Sequence, residues 1–284
     1  MKRELISIIA CSRCKSPLRL EKGRQRKNRI VSGKLMCEEC GAVFEIIDEI
    51  ICFKPITRRD KNKVRLRKIQ NLFLGQELKK DWLKNFTEQE IATVRDEWSW
   101  MINHLNLKKS KIHLDWATGM GRFLRNILEV VKGEIAALEI DYATCLGLKT
   151  FLEKIGKYSN VTIIYGDARM MPFADNSIES VSSWGGLNEP NIKKALDESK
   201  RVLKTGRALA VSGEFYEDGS RSLKKAKKAR IEFAKENEAL QYFKRLGFKN
   251  INYKTFFKAK KLDRRDFLPC FGDYYTAYAI AGRK

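Results

Sequence analysis

Two sets of residues in this 284-residue chain have the types and spacing to do chemistry. The first is the run from Lys111 to Leu128, KIHLDWATGMGRFLRNIL. Ile112 and Leu114 read as a short buried strand, Asp115 closes it, and Gly119 and Gly121 turn the backbone. Phe123, Leu124, Ile127 and Leu128 then recur at helical spacing. A strand, a glycine turn and a helix start make a cradle for a nucleotide-like ligand, because glycines let the backbone approach and leave amide N–H groups pointing outward. The acid at the strand end argues for a neutral or cationic head group over a pyrophosphate. The second set is Cys11-x-x-Cys14 and Cys37-x-x-Cys40, two knuckles separated by 22 residues. Each tight turn presents two thiolates to one ion, so Cys11, Cys14, Cys37 and Cys40 are expected to hold structural zinc. With four protein ligands no coordination position stays open, and the metal folds the segment without reacting.

The elements that must position these residues follow from the hydrophobic pattern. After the second knuckle, AVFEIIDEIICF reads as two strands joined by a turn at Asp48-Glu49. Residues 56–107 read as helical: the basic run Arg58 to Lys68 leads into a first helix, and Thr87 and Glu90 make a capping box. Ile91, Val94, Trp98, Met101, Ile102 and Leu105 share one face that is expected to pack on the next domain. From Lys108 strands and helices alternate, which implies a parallel sheet with helices on both faces. Strands are expected at Ile112–Asp115, Ile135–Ile140, Val161–Tyr165, Ile178–Ser183, Ala208–Gly213, Asn250–Phe257 and Tyr274–Ala281. Helices are expected near 121–131, 142–155, 190–203 and 236–246. The expected domains are a zinc ribbon over 1–55, a helical linker over 56–107 and an α/β domain over 108–284.

Charge separates these parts. The chain carries +22, yet residues 108–199 hold 12 Lys and Arg against 12 acids, while 200–284 hold 22 against 9. Two readings stand: a neutral pocket flanked by surfaces for an anionic partner, or solvated lysine-rich faces. The tip between the knuckles, with Lys22, Arg24, Arg26, Lys27 and Arg29, is likewise a phosphate contact or a solvated turn. No apolar run approaches the roughly 20 residues of a membrane span. The start has Lys2 and Arg3 before apolar residues and Ala10 before Cys11, but Leu5 to Ile9 is shorter than the about 7–15 residues of a secretion signal. Seven cysteines, four of them in knuckles, point to metal and free thiols in the cytoplasm, with Cys52, Cys145 and Cys270 as core or free thiols.

The order of motifs over residues 108–284 resembles the class I S-adenosylmethionine-dependent methyltransferases, in the branch that contains quinone-biosynthesis enzymes. The ribbon resembles the module at the N-terminus of some of them. The resemblance implies a Rossmann-like, seven-stranded sheet and S-adenosylmethionine as cofactor. DWATGMG matches the first motif, with Asp115, Ala117, Gly119 and Gly121 at the methionine end of the ligand. Glu139 of ALEID takes the place of the acid that holds the ribose hydroxyls. In GDARMMPFADNSIESV, Asp167 and Ala168 fall at the adenine, and Ser183 of SSWGGLNEP at the exit facing the methyl group. Two positions depart from the pattern: Ala117 stands for the usual first glycine, and Thr205-Gly206-Arg207 for Pro-Gly-Gly. A dinucleotide site competes, but its third glycine position is Leu124.

The methyl acceptor is left open. No Asn/Asp-Pro-Pro-Tyr/Phe motif follows the fourth strand, which argues against methylation of an adenine or glutamine amide nitrogen. Glu189 and Tyr216 are candidates to orient the acceptor, and Trp184 either lines its pocket or packs in the core. An insert near 217–235 falls where related enzymes place a substrate lid, with Lys224, Lys225, Lys227, Lys228 and Arg230. If those residues and Lys258, Lys260, Lys261, Arg264 and Arg265 face the pocket, the acceptor is anionic or a nucleic acid. Three functions are expected in this order: transfer to a small molecule, transfer to RNA, or a non-catalytic cofactor- or nucleic-acid-binding module.

Overall fold

The four cysteines close the base of a hairpin, β1 (Leu18–Arg26) and β2 (Arg29–Cys37). The structure, a computed structural model, describes residues 2–64, 88–262 and 267–284. The sulfur atoms lie within 4.8 Å of one another, with Cys11–Cys40 at 3.6 Å and Cys14–Cys37 at 3.4 Å. A tetrahedral zinc with about 2.3 Å bonds needs sulfurs about 3.8 Å apart, so the set fits that ion with small adjustments. β3 (Val43–Ile47) continues the meander, and Asp48 and Glu49 turn the chain with positive φ into β4 (Ile50–Cys52).

β4 then does something the spacing does not predict. It pairs in parallel with β7 (Val161–Tyr165), Ile51 opposite Ile164 and Cys52 opposite Tyr165. β7 is buried along its whole length and would otherwise present an unpaired edge. Covering it joins the ribbon to the main sheet. The result is one 11-stranded sheet where seven strands are expected, in the order β1-β2-β3-β4-β7-β6-β5-β8-β9-β11-β10. The seven expected strands all form: β5 (Ile112–Trp116), β6 (Glu134–Glu139), β7, β8 (Ile178–Ser183), β9 (Leu203–Tyr216), β10 (Lys249–Lys260) and β11 (Tyr274–Arg283). From β7 to β9 they are parallel, and β11 and β10 close the far edge antiparallel.

The ribbon shares its core with the sheet. Leu5, Ile9, Leu18, Ile30, Leu35 and Phe44 belong to the same buried cluster as Leu114, Trp116, Ile164 and Phe173. Ile9 bridges Phe173, and the Ala10 N–H donates to the Pro172 carbonyl at 3.1 Å. Arg29 is the clamp between the two parts. It pairs with Glu49, donates to the Val161 carbonyl at 2.9 Å and lies 4.4 Å from the centre of the Tyr158 ring. That arginine is therefore committed to structure and is not a phosphate contact.

Helices cover both faces: α1 (residues 58–64), α2 (Glu88–Leu105), α3 (Arg122–Leu128), α4 (Tyr142–Lys154), α5 (Lys193–Val202), α6 (Arg221–Lys228) and α7 (Glu238–Arg245). The start of the basic run is itself helix, because Thr57 and Asp60 cap it reciprocally through contacts of 2.6–3.2 Å. Thr87, and with it the expected capping box, lies outside the described residues. The apolar face of α2 is buried as expected, and Trp98 meets Trp184 edge-on at 5.3 Å.

A shared core makes ribbon and sheet one cooperative unit. Structural zinc contributes several kcal/mol, and one kcal/mol is worth about 2–4 °C at this size. Cys37→Ser is therefore expected to lower a single calorimetric transition of the whole protein by at least about 5 °C. Two separate transitions, the larger unmoved, would contradict the shared core.

Candidate active site

At the carboxyl ends of β5, β6 and β7 the chain encloses a cavity of about 350 Å3. Ala117, Gly119, Glu139, Asp167, Ala168 and Glu189 contribute to its walls. Glu139, last residue of β6, shapes it. One carboxylate oxygen accepts the Gly119 N–H and the other the Asp141 N–H, each at 2.9 Å. The loop after β5 and the start of α4 are thereby tied to one side chain, and Asp141 caps α4 through the Thr144 N–H. Gly119 has φ +58 and nothing within 4 Å of where a Cβ would stand, so its backbone is bare. Ala117 takes φ +52, the left-handed conformation that the usual glycine would adopt without strain.

Asp115 lies beneath this wall, only 1% exposed. Its carboxylate accepts the Ser182 hydroxyl at 2.6 Å. Ser182 contacts His113 Nε2 at 2.9 Å, His113 Nδ1 contacts Ser180 at 2.7 Å, and Ser180 contacts Ser110 at 2.9 Å. Since Ser182 gives its proton to Asp115, it accepts from Nε2–H, and Nδ1 accepts from Ser180. The imidazole is neutral, pulled down to about 3 by burial. Burial also pushes Asp115 up to about 7, against the pull of Ser182 and Thr118. Asp115 is thus a support for the loop rather than a surface of the cavity. Ser183 and Gly121 are interior too. The Ser183 hydroxyl donates to the Trp116 carbonyl at 2.7 Å, and a Cβ on Gly121 would stand 2.6 Å from Leu148.

The acids on the wall set its charge. Glu189 is raised by burial and by the nearby Glu139. Asp167 is held low despite its burial, because Arg169 grips it through Nε at 2.9 Å and Nη2 at 2.7 Å. Three carboxylates against one guanidinium repel a pyrophosphate and suit a cationic head group, which decides between the two nucleotide readings.

Comparison with known proteins agrees. Residues 114–206 match the family described as methyltransferase domain, and residues 2–49 match the family described as Trm112p-like protein. Residues 114–206 carry a methyltransferase domain. A demethylmenaquinone methyltransferase of Staphylococcus carnosus (strain TM300) is 24% identical over 225 residues, 69% of this chain and 91% of that relative. Two solved structures share the fold. Phosphoethanolamine N-methyltransferase 2 of Haemonchus contortus, in complex with S-adenosyl-L-methionine, has a TM-score of 0.52 at 18% identity, over 67% of this chain and 52% of its own. Geranyl diphosphate C-methyltransferase of Streptomyces coelicolor A3(2) has a TM-score of 0.53 at 12% identity, over 67% of this chain and 76% of its own.

The cofactor of this methyltransferase domain is S-adenosylmethionine, and the cavity fits it: a bare loop backbone, an acid-rich wall for a cationic ligand, and a volume in the range of small-molecule sites. Glu189 and Pro190 of the segment 184–190 line this cavity, while Trp184, Gly185 and Asn188 of the same segment line a second, of about 220 Å3. Trp184, Phe257 and Tyr275 give it aromatic walls, and Arg122, Glu97 and Glu214 give it charge. Trp184 is therefore a wall residue. Gly186 lets that segment approach, since a Cβ there would stand 2.4 Å from the Trp116 ring. Tyr216 lines neither cavity: it is 3% exposed, with burial and Glu214 raising its phenol. Glu97 is absent from the sequence expectations. Its signal is an acid between Val94 and Met101 on the buried face of α2.

Glu139→Gln replaces an acceptor by an NH2 group that must face a backbone N–H. Losing one such bond costs about 1–3 kcal/mol, so affinity for S-adenosylhomocysteine is expected to fall about 10–100-fold by calorimetry. Unchanged affinity would show that Glu139 does not shape the site.

Proposed function

We propose that the domain transfers a methyl group from S-adenosylmethionine to a small, ring-bearing acceptor seated in the second cavity. Bound S-adenosylmethionine supplies an electrophilic methyl group on a cationic sulfur. In this reading Glu139 accepts the ribose hydroxyls through charge-assisted hydrogen bonds, the stronger kind. Ala117, Gly119 and Ala168 offer bare or small walls, and Glu189 favours the cationic end. For Asp167 to accept the adenine amino group, Arg169 has to release one of its oxygens. Asp115, Ser183 and Gly121 act one layer below, holding the loop and the β8 exit in register. Catalysis then rests on alignment: the segment 184–190 borders both cavities and sets the path between donor and acceptor.

The observation that carries the small-molecule reading is the aromatic, acid-containing second cavity. Its size suits a single ring system, and its two carboxylates disfavour a phosphate backbone. Among the described residues, neither the basic residues of the insert nor Lys258 of β10 lines either cavity. Lys224, Lys227 and Lys228 are exposed, Lys225 reaches the Phe267 carbonyl at 2.8 Å, and Lys258 pairs with Glu217. Arg264 and Arg265 lie outside the described residues. Among relatives, the name demethylmenaquinone methyltransferase makes a quinone-like ring the first acceptor to try. A reducing compartment, and so the cytoplasm, is proposed from the cysteine set. No helix of the described residues is long and apolar enough to cross a membrane.

Methyl-labelled S-adenosylmethionine incubated with the protein and cell extract tests this. Label is expected in small, organic-extractable products and is expected to survive ribonuclease. Label that disappears with ribonuclease would establish an RNA acceptor, and a protein that binds S-adenosylmethionine yet transfers nothing would point to a non-catalytic module.

A further inference from the structure

One titratable group at the second cavity has no place in cofactor binding. Glu97 lies in the middle of α2, 3% exposed, on a face otherwise made of Val94, Trp98 and Met101. A carboxylate on such a face is costly unless it is hydrogen-bonded. Ser212 of β9 and Trp184 share the cavity wall with it, and both favour its charged form. The Ser212 oxygen accepts the Gly185 N–H at 3.0 Å, which ties β9 to the segment after β8 beside Glu97. Three elements thus converge on one carboxyl at the wall of a cavity that opens beside the β8 exit.

We propose that Glu97 is the acid–base residue of the acceptor site, and that the acceptor is a compact aromatic or enolic molecule whose ionisable hydroxyl faces this carboxylate. This rests on the methyl-transfer reading above. The hydroxyl oxygen, or the ring carbon conjugated with it, forms the new bond to the methyl carbon with its own electron pair. The C–S pair stays with sulfur, and the proton released by the acceptor passes to Glu97 and then to water. The other charged or titratable groups on the cavity walls are Glu214 of β9, Arg122 at the start of α3 and Tyr275 of β11. Burial, with Glu214 adding to it, raises Glu97 to about 7, while Ser212 and Trp184 pull the other way. A base poised near the working pH is the most effective kind.

The test uses the full chain and 1,4-naphthohydroquinone as acceptor. Tryptophan fluorescence of the cofactor-free protein is expected to titrate with a midpoint near neutrality. The signal is expected to vanish in Glu97→Gln and in Trp184→Phe, and its midpoint to rise in Ser212→Ala. Glu97→Gln is expected to slow single-turnover methylation at neutral pH by about 100–10,000-fold, with affinity for S-adenosylhomocysteine within about twofold, and Glu97→Asp to recover part of the rate. A wild-type protein with no titration between about pH 5 and 9 would overturn the proposal, as would a Glu97→Gln protein as fast as wild type. The second result leaves the methyl-transfer reading standing. Wild-type protein that binds S-adenosylhomocysteine and methylates neither the hydroquinone nor any component of cell extract would overturn both.

Discussion

The carboxylate of Glu139 is the constraint on which the site depends. One side chain at the end of β6 takes a backbone N–H from the loop after β5 and another from the start of α4. Gly119 and Ile140 of these two connections both line the cavity, so one carboxyl group sets their separation at its wall. Burial raises Glu139, and the backbone N–H groups pull it back toward the charged form. The backbone thereby supplies the partial positive charge that lets an acid persist on a largely enclosed wall. The same N–H groups are the ones a glycine loop leaves free for a ligand, and here they define the cradle first.

Support for that arrangement comes from two directions. Below it, the chain from Ser110 through Ser180, His113 and Ser182 to Asp115 ties β5 to β8 through side chains as well as backbone. A neutral histidine fits because each ring nitrogen finds one hydroxyl of the right polarity. Beside it, β4 covers the β7 edge, and Arg29 fastens the ribbon to the turn before β7. The zinc ribbon is thus an extension of the sheet. It covers the edge of β7, the strand that leads to Asp167 and Ala168 on the cavity wall, and its metal stabilises the sheet indirectly.

Much of this is legible in the chain itself. The strands from β5 to β11 and helices α3, α4, α5 and α7 follow from apolar runs and stop signals, whereas α6 forms inside the insert, where no helix is expected, and the cysteine knuckles follow from spacing alone. Ala117, Gly119, Glu139, Asp167 and Ala168 all reach the cavity from their motif positions. Asp115, Gly121 and Ser183 do not, because a motif fixes which strand end a residue occupies and not which way its side chain turns. The join between β4 and β7 is a contact across more than a hundred residues, decided by an exposed edge that only the assembled sheet possesses. Glu97 is hidden for a related reason: an acid on an apolar helix face is ambiguous until Trp184 after β8 and Ser212 of β9 stand beside it on a cavity wall.

The central claim is that two cavities meet at the segment 184–190, one holding the cofactor and one the acceptor. A crystal structure of the protein with S-adenosylhomocysteine tests it most directly. The account predicts the ribose on Glu139, the adenine beside Asp167 and Ala168 with Arg169 displaced, and the sulfur directed toward Trp184 and Glu97. A ligand with its ribose away from Glu139, or with its sulfur facing away from the second cavity, would contradict it.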